Sequence, residues 1–131
     1  MNIPAKISGR YAAGAVGALA NSAAVWLLGA AGVPDMVGVS MAPDFSWGWL
    51  YPRLVWGGLW GMLFLIPFSK TIGLGTLLGL APAAAALLWF LPQAGKGYLG
   101  LELGTLTPLF VIFYNLLWGL VTASWLKLTR D

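Results

Sequence analysis

The chain has no cysteine and no histidine, and only 8% of its residues are charged. Without cysteine it has no disulfide, no thiolate metal site and no cysteine nucleophile. Without histidine it lacks the usual haem and zinc ligand and the usual proton shuttle near neutral pH. A water-soluble domain carries about 25% charged residues, so a surface this poor in charge cannot face water all round. The seven basic residues are scattered, whereas a nucleic-acid reader needs a basic patch. An enzyme is the weakest class, because no residue has an obvious base to activate it. A metal site would have to come from Asp35, Asp44 and Glu102, whose spacing matches no cation-binding motif. No metal or cofactor is expected.

What is present is apolar: 60% hydrophobic residues, eight tryptophans and 18 glycines in 131 positions. A membrane-crossing helix needs roughly 20 mostly apolar residues, and four segments qualify, at about 9–32, 50–68, 71–91 and 104–126. The expected fold is an all-α membrane protein, a single domain of four transmembrane helices with a short inner turn and longer outer loops. Proline agrees with these limits. Pro34 follows the first segment, Pro92 follows the third, and Pro52 and Pro108 fall in opening turns, where a missing N–H costs little. Lys6 and Arg10 resemble the basic head of a signal peptide, but the apolar run from Tyr11 to Ala31 exceeds the 7–15 residues of such a segment. It reads as a retained helix.

Lysine and arginine collect on the cytoplasmic side of membrane proteins. Four crossings put Lys6, Arg10, Lys70, Lys127 and Arg130 on the side of the termini, and only Arg53 and Lys96 opposite. The expected setting is therefore a cell (inner or plasma) membrane with both termini cytoplasmic. Trp47, Trp49 and Tyr51 form an outer aromatic belt, with Trp125 as an inner counterpart. The first outer loop, with Met36, Val39, Met41 and Phe45, is apolar enough to lie on the bilayer surface or fold back over the helix ends, and a surface anchor is the simpler expectation.

Each segment carries a stripe of small residues: Gly14 and Gly17; Gly57 and Gly61 at GxxxG spacing; Gly75 and Gly79; Gly119. Small residues let helix backbones approach closely, so these stripes are candidate packing seams, within the chain, in a homodimer or against another membrane subunit. Asn21 lies about 16 Å from Arg10 and Asn115 about 18 Å from Lys127 along their helices, which places both near the bilayer centre. Pro82 frees the carbonyl of Leu78 at a similar level, and Trp60 and Trp118 bring indole N–H donors there.

The plainer expectation is that Asn21, Asn115 and the freed carbonyl satisfy one another as interhelical links. The sharper one is a small pocket of asparagine and tryptophan. Arg53, Trp56 and Trp60 share one helical face. Either Arg53 is an interfacial anchor paired with Asp44 or Glu102, or this face looks inward and lines a vestibule leading to Asn115. The anchor is expected.

No acid lies inside a crossing, unlike the small multidrug-resistance transporters, which are similarly short but depend on a membrane-embedded glutamate. The Arg10-Tyr11 pair is similar to one in small fluoride channels, but their glycine-rich lead-in is missing and the charge bias opposes a dual topology. Two functions remain. The first expectation is an accessory or assembly subunit docking through its glycine faces. The alternative is a passive channel, carrier or binder for a small, weakly charged or apolar ligand.

Overall fold

The computed structural model describes residues 2–66 and 71–129, and the ordered elements among them are helical. The turn expected at Ser69-Lys70, and Arg130, lie outside the described residues. Three helical stretches are long and apolar enough to cross a membrane: Ile3–Ala30, Ile72–Gln93 and Thr107–Thr129.

Helix α1 (Ile3–Ala30) starts six residues before the expected boundary because Asn2 caps it, its side chain accepting from the Ala5 N–H at 2.7 Å. It stops where Gly32 takes a left-handed conformation (φ 81°) and turns the chain into the short α2 (Val33–Met36).

Helix α3 (Trp47–Trp60) begins earlier than the expected position 50, since Ser46 caps the Trp49 N–H at 3.1 Å. Pro52 therefore lies inside the helix rather than in its opening turn. The α-helix itself is 14 residues long and runs on as a 3-10 turn, Gly61–Leu65.

The stretch expected as a helix at 71–91 is helical from Ile72 to Gln93 but unevenly wound. It consists of α4 (Ile72–Leu77), α5 (Leu80–Ala85), a π-helical turn (Ala86–Phe90) and α6 (Leu91–Gln93). Pro82 has no N–H to offer Leu78, and the Leu78 carbonyl instead accepts from Ala81 at 3.1 Å, a tightened turn. It does not reach the asparagines. The last helix, α7 (Thr107–Thr129), is unbroken.

Glycines set how these helices meet. A Cβ on Gly57 would collide with Ala18 and the Gly14 carbonyl, and one on Gly61 with the Arg10 carbonyl. These contacts pair α3 with α1 in antiparallel fashion. Gly17 faces Thr122 and Trp118, and the Trp118 indole donates to the Gly14 carbonyl at 3.0 Å, fastening α7 to α1. Gly75 faces Ala123, Gly79 faces the Asn115 carbonyl, and Gly119 faces the carbonyls of Gly75 and Thr76. These contacts lay the 72–93 stretch along α7. All seven small positions are therefore used between helices of this chain.

Helices α1 and α7 thus form a central pair, with α3 packed on the first and the 72–93 stretch on the second. Helix α3 and the 72–93 stretch make no extended contact with each other. One apolar cluster, including Phe64, Trp118 and Leu126, fills the end nearer the termini, and a second, Ala83, Leu87 and Val111, fills the other.

The first loop folds back over the far end instead of lying only as a surface anchor. Val39 is 1% exposed, Ala42 meets Gly29, and the Ser40 N–H donates to the Leu103 carbonyl at 2.8 Å. This last bond ties the loop to the turns at Tyr98–Leu103. Met36 and Trp47 stay exposed.

Replacing Gly57 by leucine should destabilise the protein by at least the 1–3 kcal/mol typical of overpacking, because backbone rather than a mobile side chain blocks the space. Gly9→Leu, with nothing within 4 Å of its Cβ, should leave the melting temperature in detergent almost unchanged. Thermal unfolding followed by size-exclusion chromatography checks both.

Candidate functional site

The gap between α3 and the 72–93 stretch is a cleft of about 490 Å³, floored by α1 and α7. The six residues singled out in the sequence as candidate ligand contacts, Asn21, Arg53, Trp56, Trp60, Asn115 and Trp118, all line it. Helix phase explains their convergence. Arg53, Trp56 and Trp60 recur at spacings of three and four on α3, and Asn115 and Trp118 are three apart on α7.

Arg53 is the chief correction to the sequence reading. It does not pair with Asp44 or Glu102, and among the described residues no carboxylate lines the cleft. Its Nε donates to Ser22 Oγ at 2.8 Å and its Nη2 to Asn21 Oδ1 at 2.7 Å, both on α1. Its Cζ lies 4.8 Å from the centre of the Trp49 ring, a cation–π distance. The physical reason lies in the start of α3. With Ser46 rather than position 50 as the cap, Arg53 stands about 9 Å inside the helix. Its side chain then lies beside the polar pair Asn21-Ser22 of the antiparallel α1.

Asn21 carries the connection onward, its Nδ2 donating to the Tyr114 carbonyl of α7 at 2.6 Å. One relay, Arg53–Asn21–Tyr114, thus links α3, α1 and α7. Asn115 takes no part in it. Its Nδ2 donates to the Val111 carbonyl of its own helix at 2.8 Å, so the two asparagines are not bonded to each other, contrary to the plainer expectation. The hydrogen bond of the Trp118 indole is spent on Gly14, and its ring serves as wall, edge-on to Phe64 at 5.9 Å.

Apart from Tyr114, the remaining lining is apolar. Phe90, Met41, Pro82, Ala86 and Val111 also contribute. Ala86 and Phe90 are the two ends of the π-helical turn, a distortion that often marks functional sites. The Trp56 and Phe90 rings meet edge-on at 5.7 Å across the gap, and their side chains remain 52% and 44% exposed. Their contact bridges the gap between α3 and the 72–93 stretch. Sequence reasoning missed Ser22, whose position beside Asn21 was the available signal. It also missed Phe90 and Met41, for which an apolar chain offers no distinguishing signal.

No family model, no curated protein and no solved structure matches this chain.

Asn21 ties three helices and accepts from a cation, whereas Asn115 bonds only within its helix. Asn21→Ala should therefore cost about 1–3 kcal/mol, the range for leaving buried polar groups unpaired. Asn115→Ala should cost about 0.6 kcal/mol, the mean for a side-chain bond in a membrane helix. Paired melting curves in detergent, with equal losses as the contrary result, check this ranking.

Proposed function

We propose that this chain is a membrane protein crossing the bilayer four times, with both termini cytoplasmic, that binds a small amphiphilic or apolar molecule in the cleft beside Arg53 and passes it between the cleft and the surrounding lipid. The observation that carries the reading is an arginine turned into a largely apolar cleft and held there, among the described residues, by neutral partners. On insertion scales an arginine costs up to roughly 2.5–3.5 kcal/mol at the centre of a crossing, and Arg53 stands about 9 Å inside its helix. Hydrogen bonds to a charged group return about 1.5–3 kcal/mol each, so Ser22 and Asn21 can hold the guanidinium there. They do not neutralise it. An ionisable residue inside the membrane is by default a functional one.

Length supports the fourth crossing. The 14 α-helical residues of α3 rise about 21 Å, and the five 3-10 residues after it add about 10 Å. Together they match the bilayer core of about 30 Å. Orientation rests on the excess of Lys6, Arg10, Lys70, Lys127 and Arg130 on one side. The cleft volume falls within the 300–1,000 Å³ of small-molecule sites. Trp56 and Phe90, which line the cleft and are 52% and 44% exposed, form its mouth towards acyl chains in this reading. The alternative of an accessory subunit relied on free glycine faces. That Gly14, Gly57 and Gly61 are covered by this chain's own helices favours the cleft over that reading.

The natural absence of cysteine makes a clean test possible. In Trp56→Cys/Phe90→Cys, a short bis-methanethiosulfonate bridge should close the mouth. Exchange of methyl laurate between protein and nanodisc lipid should then slow by about tenfold or more, as expected when the exit route limits dissociation, and recover on reduction. Native mass spectrometry reads the bound fraction. No bound methyl laurate, or the same exchange rate with the mouth bridged, would show that the cleft is not a lipid-accessible binding site.

A further inference from the structure

We infer that the occupant of the cleft is a membrane amphiphile with an oxyanionic headgroup, a carboxylate or phosphate, gripped end-on by Arg53. The inference rests on the reading of the cleft as a binding site and adds the chemistry of the ligand. A guanidinium has five N–H donors in one plane. The side-on edge, Nε with Nη2, is already occupied by Ser22 and Asn21. The end-on edge, Nη1 with the second hydrogen of Nη2, has no partner among the described residues.

That edge is the fork that matches two oxygens of a carboxylate or phosphate. Trp49 lies 4.8 Å from Cζ across the guanidinium, and an oxyanion bound in the guanidinium plane leaves that contact intact. Ser22 and Asn21 hold the fork in one orientation before any ligand arrives, so little freedom is lost on binding.

Charge points the same way. The partners of Arg53 are a hydroxyl, an amide oxygen and an indole face, and none neutralises it. A neutral ligand would leave the cation uncompensated, whereas an oxyanion would neutralise it. Asn115 Oδ1, which has no hydrogen-bond partner among the described residues, also lines the cleft. It can accept from a protonated phosphate or a hydroxyl of the headgroup. The apolar body of such a molecule would lie against Trp60, Pro82 and Val111 and leave past Trp56 and Phe90. A free anion would make no use of these walls.

The test compares headgroups on one chain. The full-length protein in detergent is titrated with laurate, lauryl phosphate, methyl laurate and inorganic phosphate, and bound species are counted by native mass spectrometry. One laurate or lauryl phosphate should bind per chain, tighter than methyl laurate by about tenfold or more, as charge-assisted bonds allow. Arg53→Gln should erase that preference while methyl laurate still binds. Arg53→Lys, which keeps the charge and loses the fork, should keep only part of it and serves if the glutamine variant does not fold. Lys96→Gln should keep all of it.

Equal binding of laurate and methyl laurate by the wild-type chain would overturn the headgroup assignment and leave the cleft reading standing. Failure of every lauryl compound to bind would remove both. Competition by inorganic phosphate as effective as that of lauryl phosphate would overturn the assignment to a lipid.

Discussion

A half-buried guanidinium that meets no carboxylate among the described residues is the constraint on which the rest of this structure depends. At an effective dielectric of about 20, a unit charge 4 Å away interacts with it by about 4 kcal/mol, far more than any single hydrogen bond between these helices contributes. The protein meets this demand with neutral oxygens from Ser22 and Asn21, which position the charge without cancelling it. Because Asn21 also donates to the Tyr114 carbonyl, the same residue that holds the cation fixes α7 against α1. Polar satisfaction and helix packing are one arrangement here.

The glycines make that arrangement reachable. Hydrogen bonds of 2.6–2.8 Å between side chains and a neighbouring helix require the backbones to approach closely, and Gly14, Gly17 and Gly57 provide the approach on both sides of Asn21. Close packing of α3 on α1, and of the 72–93 stretch on α7, leaves α3 and that stretch apart. The cleft is the space this pairing does not fill. The change of winding at Gly79, the turn tightened before Pro82 and the π-helical turn at Ala86–Phe90 then shape its far wall. An evenly wound helix there would present a different face to the gap.

Much of the site was legible in the sequence, for a definite reason. Polar residues are rare enough in apolar helices that Asn21, Asn115 and Arg53 stand out, and helical spacing groups Trp56 and Trp60 with Arg53 and Trp118 with Asn115. The direction in which Arg53 points was not legible. The choice between headgroup and interior depends on how far the helix extends before it, and that was decided by Ser46 capping three residues upstream of Trp49. The uneven winding of the third stretch was hidden for a similar reason. Apolar runs with one proline are compatible with a straight helix, and the close approach of Gly79 and Gly119 to carbonyls of the facing helix is a fact about two segments at once.

The sequence by itself determined that the chain is helical and apolar, that its helices could pack closely at small residues, and that cysteine and histidine chemistry was closed to it. These are properties of composition and of the 3.6-residue period, and need no partner to be true. Only the tertiary structure decided that α1 pairs with both α3 and α7, that Asn21 rather than Asn115 becomes the link among them, and that the first loop folds over the far end with Val39 buried. It also decided that Arg53 faces a cleft. Each of these depends on which surfaces meet, and an apolar helix surface offers many nearly equivalent ways to meet until a few glycines and one half-buried charge select among them.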